Sequence, residues 1–177
     1  MHLASGSLGL AAYSLPMPRR TIPVALAFLV VASVVLELSR RQSKAVERGF
    51  ERVTLGVMRP AEERGILGST MLMTGYALAW LLFPASAAAP AIMVTAAADP
   101  AAATFGPMLS RQRGRKTIAG SLAAAGVAFI VLLLTTPSWI AALVAAIAAA
   151  LAERLPGAGL DNLAIPLATA AVLVLLT

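Results

Sequence analysis

Charged residues, cysteines and histidines are scarce in this sequence, and each scarcity excludes a class of protein. Only 12% of the 177 residues are charged, whereas 59% are hydrophobic, and the mean hydropathy is +0.86. A soluble domain normally carries about 25% charged residues, so lipid is expected to be the solvent for most of this chain. The sequence has no cysteine, which excludes disulfides and thiolate metal sites. His2 is the only histidine, which argues against a Ser-His-Asp triad or a histidine-based metal site.

The phosphate-binding motifs of soluble enzymes are also missing. The sequence contains neither a Walker-type Gly-Lys-Ser/Thr loop nor a dinucleotide-binding glycine pattern. The net charge of +6 would suggest a nucleic-acid partner if the protein were soluble. In a membrane protein, Lys and Arg instead gather in cytoplasmic loops and favour anionic lipid headgroups and nucleotide phosphates. We therefore expect membrane lipids and ligands that carry phosphate as partners, and no nucleic acid.

Seven apolar segments predict an all-α fold, a polytopic transmembrane bundle of about seven helices, some short or broken, in one membrane-embedded domain over residues 1–177. The segments are His2–Leu15, Thr21–Leu38, Ile66–Phe83, Ala88–Leu109, Thr117–Thr135, Trp139–Leu151 and Leu160–Thr177. Most are rich in Ala and Gly, and small residues let helices approach closely in lipid. The first segment is shorter than the ~20 residues that a perpendicular span needs. We therefore expect a tilted or partial first helix, or an incomplete N-terminus.

The distribution of basic residues predicts the topology. The connections after the third and fifth segments carry no charge, whereas those after the second and fourth are basic. The basic residues are Arg40, Arg41, Lys44, Arg48, Arg52, Arg59 and Arg64, then Arg111, Arg113, Arg115 and Lys116. Because basic loops stay in the cytoplasm, we expect an inner (plasma) membrane protein with its N-terminus inside. Only Arg19 and Arg20 fall on the opposite side in this arrangement.

The stretch 40–64 has the pattern of an amphipathic helix. Val46, Phe50, Val53 and Val57 recur at helical spacing with charges between them. This pattern predicts a helix that lies on the inner leaflet. The alternative is that the basic residues at its start only anchor the end of the preceding helix.

Three acidic residues lie in or beside apolar segments: Asp99, Glu153 and Asp161. A carboxylate at membrane depth costs about 3 kcal/mol or more unless it is paired, hydrated or bound to a metal, so each is a candidate functional residue. The structural alternative for Glu153 is a local ion pair with Arg154. For Asp161 it is an N-cap, because Pro156, Gly157 and Gly159 precede it.

Asp99 is followed by Pro100, which is expected to break the helix, and an acidic residue at such a break suits a Mg²⁺ site. The basic run from Arg111 then leads into a helix start. Lys116, Thr117 and the free N–H groups of that helix start are candidates for holding phosphate.

Taken in order, these blocks resemble the membrane family of dolichol kinase, phytol kinase and CTP-dependent diacylglycerol kinase. Leu36 to Arg41 is similar to the family's Glu-x-x-Arg at the end of an early helix. Arg59 to Glu62, with Leu67 to Thr70 and Gly75, is similar to its Arg-x-x-Glu and Gly-Ser/Thr-rich helix. The resemblance covers most of the chain.

The second half of the chain carries the rest of the resemblance. The matching residues are Ala98 to Ala102, Gly106, Lys116, Thr117, Gly120, Ser121, Glu153, Asp161, Asn162 and Pro166. They are similar to the family's Gly-Asp-x-x-Ala, Lys-Ser/Thr-x-x-Gly-Ser and Asp-Asn-x-x-x-Pro blocks. The chain departs from the pattern at Ala98, where the family often has Gly. It also departs at Pro107, where the family often has Arg, so Arg111 or Arg113 would supply that phosphate contact. The basic pair that the family has before a first-helix His is missing.

The resemblance implies an enzyme that transfers the γ-phosphate of CTP to the hydroxyl of a long-chain lipid alcohol, with Mg²⁺ as cofactor. Phosphoryl transfer is chiefly positioning and charge stabilisation. Asp99, Asp161 and Glu153 would hold Mg²⁺, with Asp99, Lys116 and Asp161 as the catalytic set. The residues that would bind nucleotide or phosphate are Arg59, Glu62, Thr117, Gly120 and Asn162.

Two alternatives stay open. A cytidylyltransferase that forms a CDP-lipid shares the pattern of an Asp with Lys-Thr-x-x-Gly. A small transporter or scaffold would use its buried acids for ion coupling, but no inverted hydropathy repeat supports it. The choice among phytol, polyprenol and diacylglycerol, the choice between CTP and ATP, the identity of the base and the formation of a homodimer are open at the level of the sequence.

Overall fold

All regular structure is helical in the part of the chain that the computed structural model describes. These residues are 7, 9–11, 13–14, 21–53, 66–110, 116–154 and 159–177. The helices are α1 (Thr21–Gln42), α2 (Lys44–Val53), α3 (Gly68–Leu82), α4 (Ala85–Ser110), α5 (Ile118–Thr135), α6 (Trp139–Glu153) and α7 (Leu160–Leu176). The described residues among 7–14 are helical as well. The prediction of an all-helical chain is therefore confirmed.

The helix limits follow the apolar segments closely. Two described helices, α1 and α5, are long and apolar enough to cross a membrane. Helices α6 and α7 are apolar but shorter, at 15 and 17 residues. The helix predicted within 40–64 is present as α2, whereas Val57, Arg59, Glu62 and Arg64 lie outside the described residues.

The break predicted at Pro100 is wrong. Helix α4 runs without interruption over 26 residues and contains Pro90, Pro100 and Pro107. A proline inside a helix removes one hydrogen bond and costs about 3 kcal/mol. Helix α4 packs against α3, α5 and α7, and these contacts support the helix on both sides of the defect.

Alanine dominates the larger of two apolar cores. It lies among α4, α5, α6 and α7, where Ala91, Ala128, Ala141 and Ala145 are fully buried. We call this cluster the alanine core. Such small side chains allow the helix backbones to approach closely, so packing rather than side-chain bulk holds these helices together. A smaller core with Leu72, Tyr76 and Ile92 joins α1 and α3 to α4.

The outer surface of the bundle is apolar. Large exposed side chains occur on six of the described helices, for example Phe28 at 70% exposure, Leu134 at 77% and Leu175 at 81%. Soluble monomers rarely expose contiguous apolar patches larger than a few hundred Å². This surface needs an apolar cover.

Five helix ends meet at one end of the bundle, which we call the polar end. Contacts join the end of α1 to the start of α3, the start of α3 to that of α7, and the start of α5 to the start of α7 and the end of α6. The turns at 83–84 and 136–138, which join α3 to α4 and α5 to α6, carry no charge. Among the described residues, the charged side chains of Glu37, Lys116, Glu153 and Asp161 thus lie at the same end of the bundle.

Candidate functional site

Lys116 stands at the centre of the polar end, directly before the start of α5. Its Nζ lies 2.8 Å from Asp161 Oδ2 and 3.7 Å from Glu153 Oε1. The ammonium also donates to the backbone carbonyl of Glu153. One cation therefore faces oxygens from α6 and α7, and three residues predicted from the sequence as site residues come together.

The two carboxylates are buried, whereas the lysine reaches the surface. The side chains of Asp161 and Glu153 are 2% and 7% exposed, and that of Lys116 is 32% exposed. Two buried carboxylates near each other without a cation would repel and lose their hydration, which costs several kcal/mol per ion. Lys116 offsets part of that cost.

Glu153 does not form the local ion pair with Arg154 that the sequence left open. Its Oε2 accepts a hydrogen bond from Ser121 Oγ at 3.2 Å, and its other oxygen faces Lys116. The guanidinium of Arg154 donates to the same Ser121 hydroxyl at 3.3 Å. Helix α6 ends at Glu153, so its last side chain is held by α5 rather than by its own neighbour.

Asp161 is not the N-cap of α7. The cap position belongs to Gly159, whose φ of 79° lies in the left-handed region that glycine adopts without strain. Asp161 is instead in the first turn, where its Oδ1 accepts the N–H of Asn162 at 3.0 Å. A negative charge is stabilised near the start of a helix by the helix dipole.

Helices α4 and α5 cross closely beside Lys116. Thr117 is the N-cap of α5, and its hydroxyl accepts the N–H of Gly120 at 3.0 Å. A Cβ placed on Gly120 would lie 3.0 Å from the carbonyl oxygen of Ala102 and 3.3 Å from the Cα of Gly106. The backbones can approach this closely only because both crossing residues are glycines.

Asp99 lies on the face of α4 that leads to this crossing. It precedes Ala102 by three residues and Gly106 by seven, and residues at this spacing share one side of a helix. Its side chain is buried at 7% exposure and has a polar partner. Asp99 is therefore on the side of α4 that faces the start of α5.

Asn162 connects the site to α3. Its Nδ2 donates to the carbonyl of Gly68 at 3.0 Å, and the residue is 4% exposed. Its Oδ1 is buried and has no hydrogen-bond partner among the described residues. The amide is thus fixed by one atom and offers an acceptor with the other.

The predicted three-carboxylate metal site is not assembled. In the described ranges, no three His, Cys, Asp or Glu side chains form a group that could hold a metal ion. Glu153 and Asp161 converge on Lys116. The predicted phosphate and nucleotide ligands Arg59 and Glu62, together with His2, Arg111 and Arg113, lie outside the described residues.

Two residues that the sequence left without a role belong to the polar end. Ser121 supports Glu153, and its signal in the sequence is its place at the end of the block Lys-Thr-x-x-Gly-Ser. Glu37 is buried at 6% exposure and accepts hydrogen bonds from Arg40 at 3.0 Å, Arg41 at 2.7 Å and the backbone N–H of Leu67 at 3.1 Å. The spacing of three and four residues from Glu37 to the arginines predicts these ion pairs, because residues at that spacing are neighbours on a helix.

The chain matches no protein-family model, no curated protein and no solved structure.

Proposed function

We propose that this chain is a membrane-embedded kinase that transfers the γ-phosphate of CTP to the hydroxyl of a long-chain lipid alcohol. The observation that carries this proposal is the convergence of Lys116, Asp161 and Glu153 beside the start of α5. Phosphoryl transfer needs cations for the phosphates and carboxylates for Mg²⁺, and it needs no nucleophilic side chain.

Mg²⁺ fits the residues of this site. It is usually bound by one or two carboxylates together with substrate phosphates rather than by a cage of protein ligands. Asp161 and Glu153 supply two carboxylates, and the unpaired Oδ1 of Asn162 is a further hard oxygen next in sequence to Asp161. When bound, the metal would neutralise charge on the phosphates. Asp99 would support the metal or the acceptor hydroxyl from α4.

The phosphates would lie at the start of α5. Lys116 is partly exposed there, and the free N–H groups at a helix start favour an anion. Thr117 already uses its hydroxyl to cap the helix, so its role would be to fix this end rather than to contact phosphate. Gly120 would act by keeping α4 close.

We also propose that the chain forms a polytopic bundle with the polar end at the cytoplasmic face of an inner (plasma) membrane, its N-terminus inside and α2 on the inner leaflet. The apolar outer surface supports this, because a bilayer would cover Phe28, Leu134 and Leu175. The two basic connections follow α1 and α4 in the sequence, and both helices end at the polar end. This arrangement fits the positive-inside rule. The lipid substrate would then enter sideways from the bilayer and the nucleotide from the cytoplasm.

Purified full-length protein in nanodiscs, given CTP or ATP labelled at the γ-phosphate, tests the activity on a panel of phytol, a polyprenol and diacylglycerol. We expect label in one lipid product, identified by mass spectrometry. Release of labelled pyrophosphate would instead indicate a CDP-lipid-forming cytidylyltransferase. Absence of both products with every lipid would refute the enzymatic proposal.

Two variants assign the site. Asp161→Asn and Asp99→Asn should each lower the rate by about 100-fold or more, because they remove charge that would face the metal and phosphates. Thr95→Val is the matched control on α4, since Thr95 is buried and bonds only within its own helix. Activity within about threefold of wild type in Asp161→Asn would remove this residue from the site.

A further inference from the structure

The contacts of Lys116 define a position for a cation that is made of oxygen atoms. Asp161 Oδ2, Glu153 Oε1 and the carbonyl oxygen of Glu153 all face its Nζ. Carboxylate and carbonyl oxygens are the ligands that hard divalent cations prefer. Asp161 and Glu153 would therefore hold a metal ion through the same oxygens that now face the ammonium.

While Lys116 pairs with Asp161 and Glu153, these carboxylates already compensate its charge, so it is a weak partner for a phosphate. In the described ranges, no other basic side chain pairs with Asp161 or Glu153. If Lys116 left without a replacement, two buried carboxylates would face each other uncompensated. Its departure therefore requires another cation to arrive.

The exposure of the three side chains indicates which of them can move. Asp161 and Glu153 are buried and are fixed by further hydrogen bonds to the N–H of Asn162 and the hydroxyl of Ser121. Lys116 is 32% exposed and stands on a flexible four-carbon stem. The lysine can withdraw toward the surface, whereas the carboxylates stay in place.

We propose that Lys116 is an exchangeable counter-ion of the site, and this inference rests on the proposed function. Without ligands, Lys116 neutralises Asp161 and Glu153 and competes with a divalent metal for their oxygens. With metal and nucleotide both present, Asp161 and Glu153 would hold the metal and Lys116 would turn to the phosphates. Binding of the metal without nucleotide is disfavoured. No phosphate would then be present to pair with Lys116, so the ammonium would stay beside the divalent cation and repel it.

Binding of Mn²⁺ to the full chain in detergent, measured by electron paramagnetic resonance without nucleotide, tests this competition. We expect Lys116→Met to raise the affinity for Mn²⁺ by about tenfold or more, because a neighbouring positive charge is removed. Asp161→Asn in the Lys116→Met background should abolish the gain. Lys44, on α2, is the only other lysine of the chain, and Lys44→Met should leave the affinity unchanged.

The proposal can be tested even if Lys116→Met affects folding. If Lys116→Met unfolds in chelator, we expect millimolar Mg²⁺ to restore its helical content and melting temperature, which equimolar Na⁺ should not do. A folded Lys116→Met protein with unchanged or weaker Mn²⁺ affinity would overturn the proposal, as would an unfolded one that Mg²⁺ does not rescue.

The metal titration does not depend on catalysis. If Lys116→Met gains Mn²⁺ affinity but the protein phosphorylates no lipid alcohol, the exchange of Lys116 is supported and the proposed kinase activity is refuted. If the wild type phosphorylates a lipid alcohol but Lys116→Met gains no Mn²⁺ affinity, the kinase activity is supported and the exchange of Lys116 is refuted.

Discussion

The alanine core and the polar end hold the same helices together by opposite means. In the alanine core, side chains such as Ala91 and Ala145 are fully buried and carry no polar group. Van der Waals contact between closely packed helices therefore stabilises this region. At the polar end, ion pairs and hydrogen bonds such as those of Glu37 and Lys116 join helix ends that are far apart in sequence. We therefore expect added volume to destabilise the alanine core and lost charge to destabilise the polar end.

The largest effect on stability is expected from the ion pairs of Glu37. Glu37→Gln should lower the free energy of unfolding by about 3 kcal/mol, because the side chain of Arg40 is 2% exposed and would lose the carboxylate that it faces. Unfolding in mixed micelles, followed by circular dichroism, measures the change. Glu47→Gln on α2 is the control and should change the stability by less than about 0.5 kcal/mol.

Added volume in the alanine core should cost somewhat less. Ala145→Leu places a larger side chain where no space exists, and we expect a loss of about 2 kcal/mol in the same unfolding measurement. The neighbouring Val144→Leu, on the exposed side of α6 at 41% exposure, should be nearly neutral. Equal effects of the two substitutions would mean that the core is loosely packed.

The crossing of α4 and α5 lies at the border of the two regions. Gly120→Ala should cost about 1.5 kcal/mol, because its Cβ would lie 3.0 Å from a backbone carbonyl that can move only with its helix. Gly126→Ala, on the same helix, meets nothing within 4 Å and should stabilise the protein by up to about 1 kcal/mol. Stabilisation by both substitutions would contradict the close crossing.

The two N-caps provide the finest comparison. Thr117 caps α5 at the polar end, and Ser138 caps α6 at the uncharged end, each by accepting one backbone N–H. Replacement of either by Ala should cost about 1 kcal/mol in stability. If the proposed site is correct, only Thr117→Ala should also raise the KM for the nucleotide, measured in the labelled-CTP assay. An equal rise in KM for Ser138→Ala would show that helix fraying alone explains the effect.

The sequence predicted the helices well because hydropathy acts locally. The apolar segments match α1 and α3 to α7 within a few residues, and only the fate of Pro100 was misjudged, since a helix packed on several sides survives a defect that would end an isolated one. The structural alternative for Asp161, an N-cap, is wrong because Gly159 takes the cap position with a left-handed φ two residues earlier.

The contacts of the site needed the fold. Lys116 and Asp161 are 45 residues apart, and no local pattern fixes that pair. Alternation of the basic connections predicted only that both would lie at the same end. The sequence could not decide whether Glu153 would face Arg154, its neighbour, or Lys116, since that depends on how α6 is rotated against α5. The position of Asp99 on α4 followed from helical spacing once the crossing at Gly120 was known.

In the proposed membrane topology, the short uncharged turns at 83–84 and 136–138 have a consequence for how the chain is inserted. Moving a charged residue to the centre of a bilayer costs about 2.5 to 3.5 kcal/mol on the scale of insertion experiments. A helical hairpin whose turn carries no charge avoids that cost when the turn is translocated. In that topology we expect α3 with α4, and α5 with α6, to enter the bilayer as two pairs during synthesis, while the basic connections stay on the side of the ribosome.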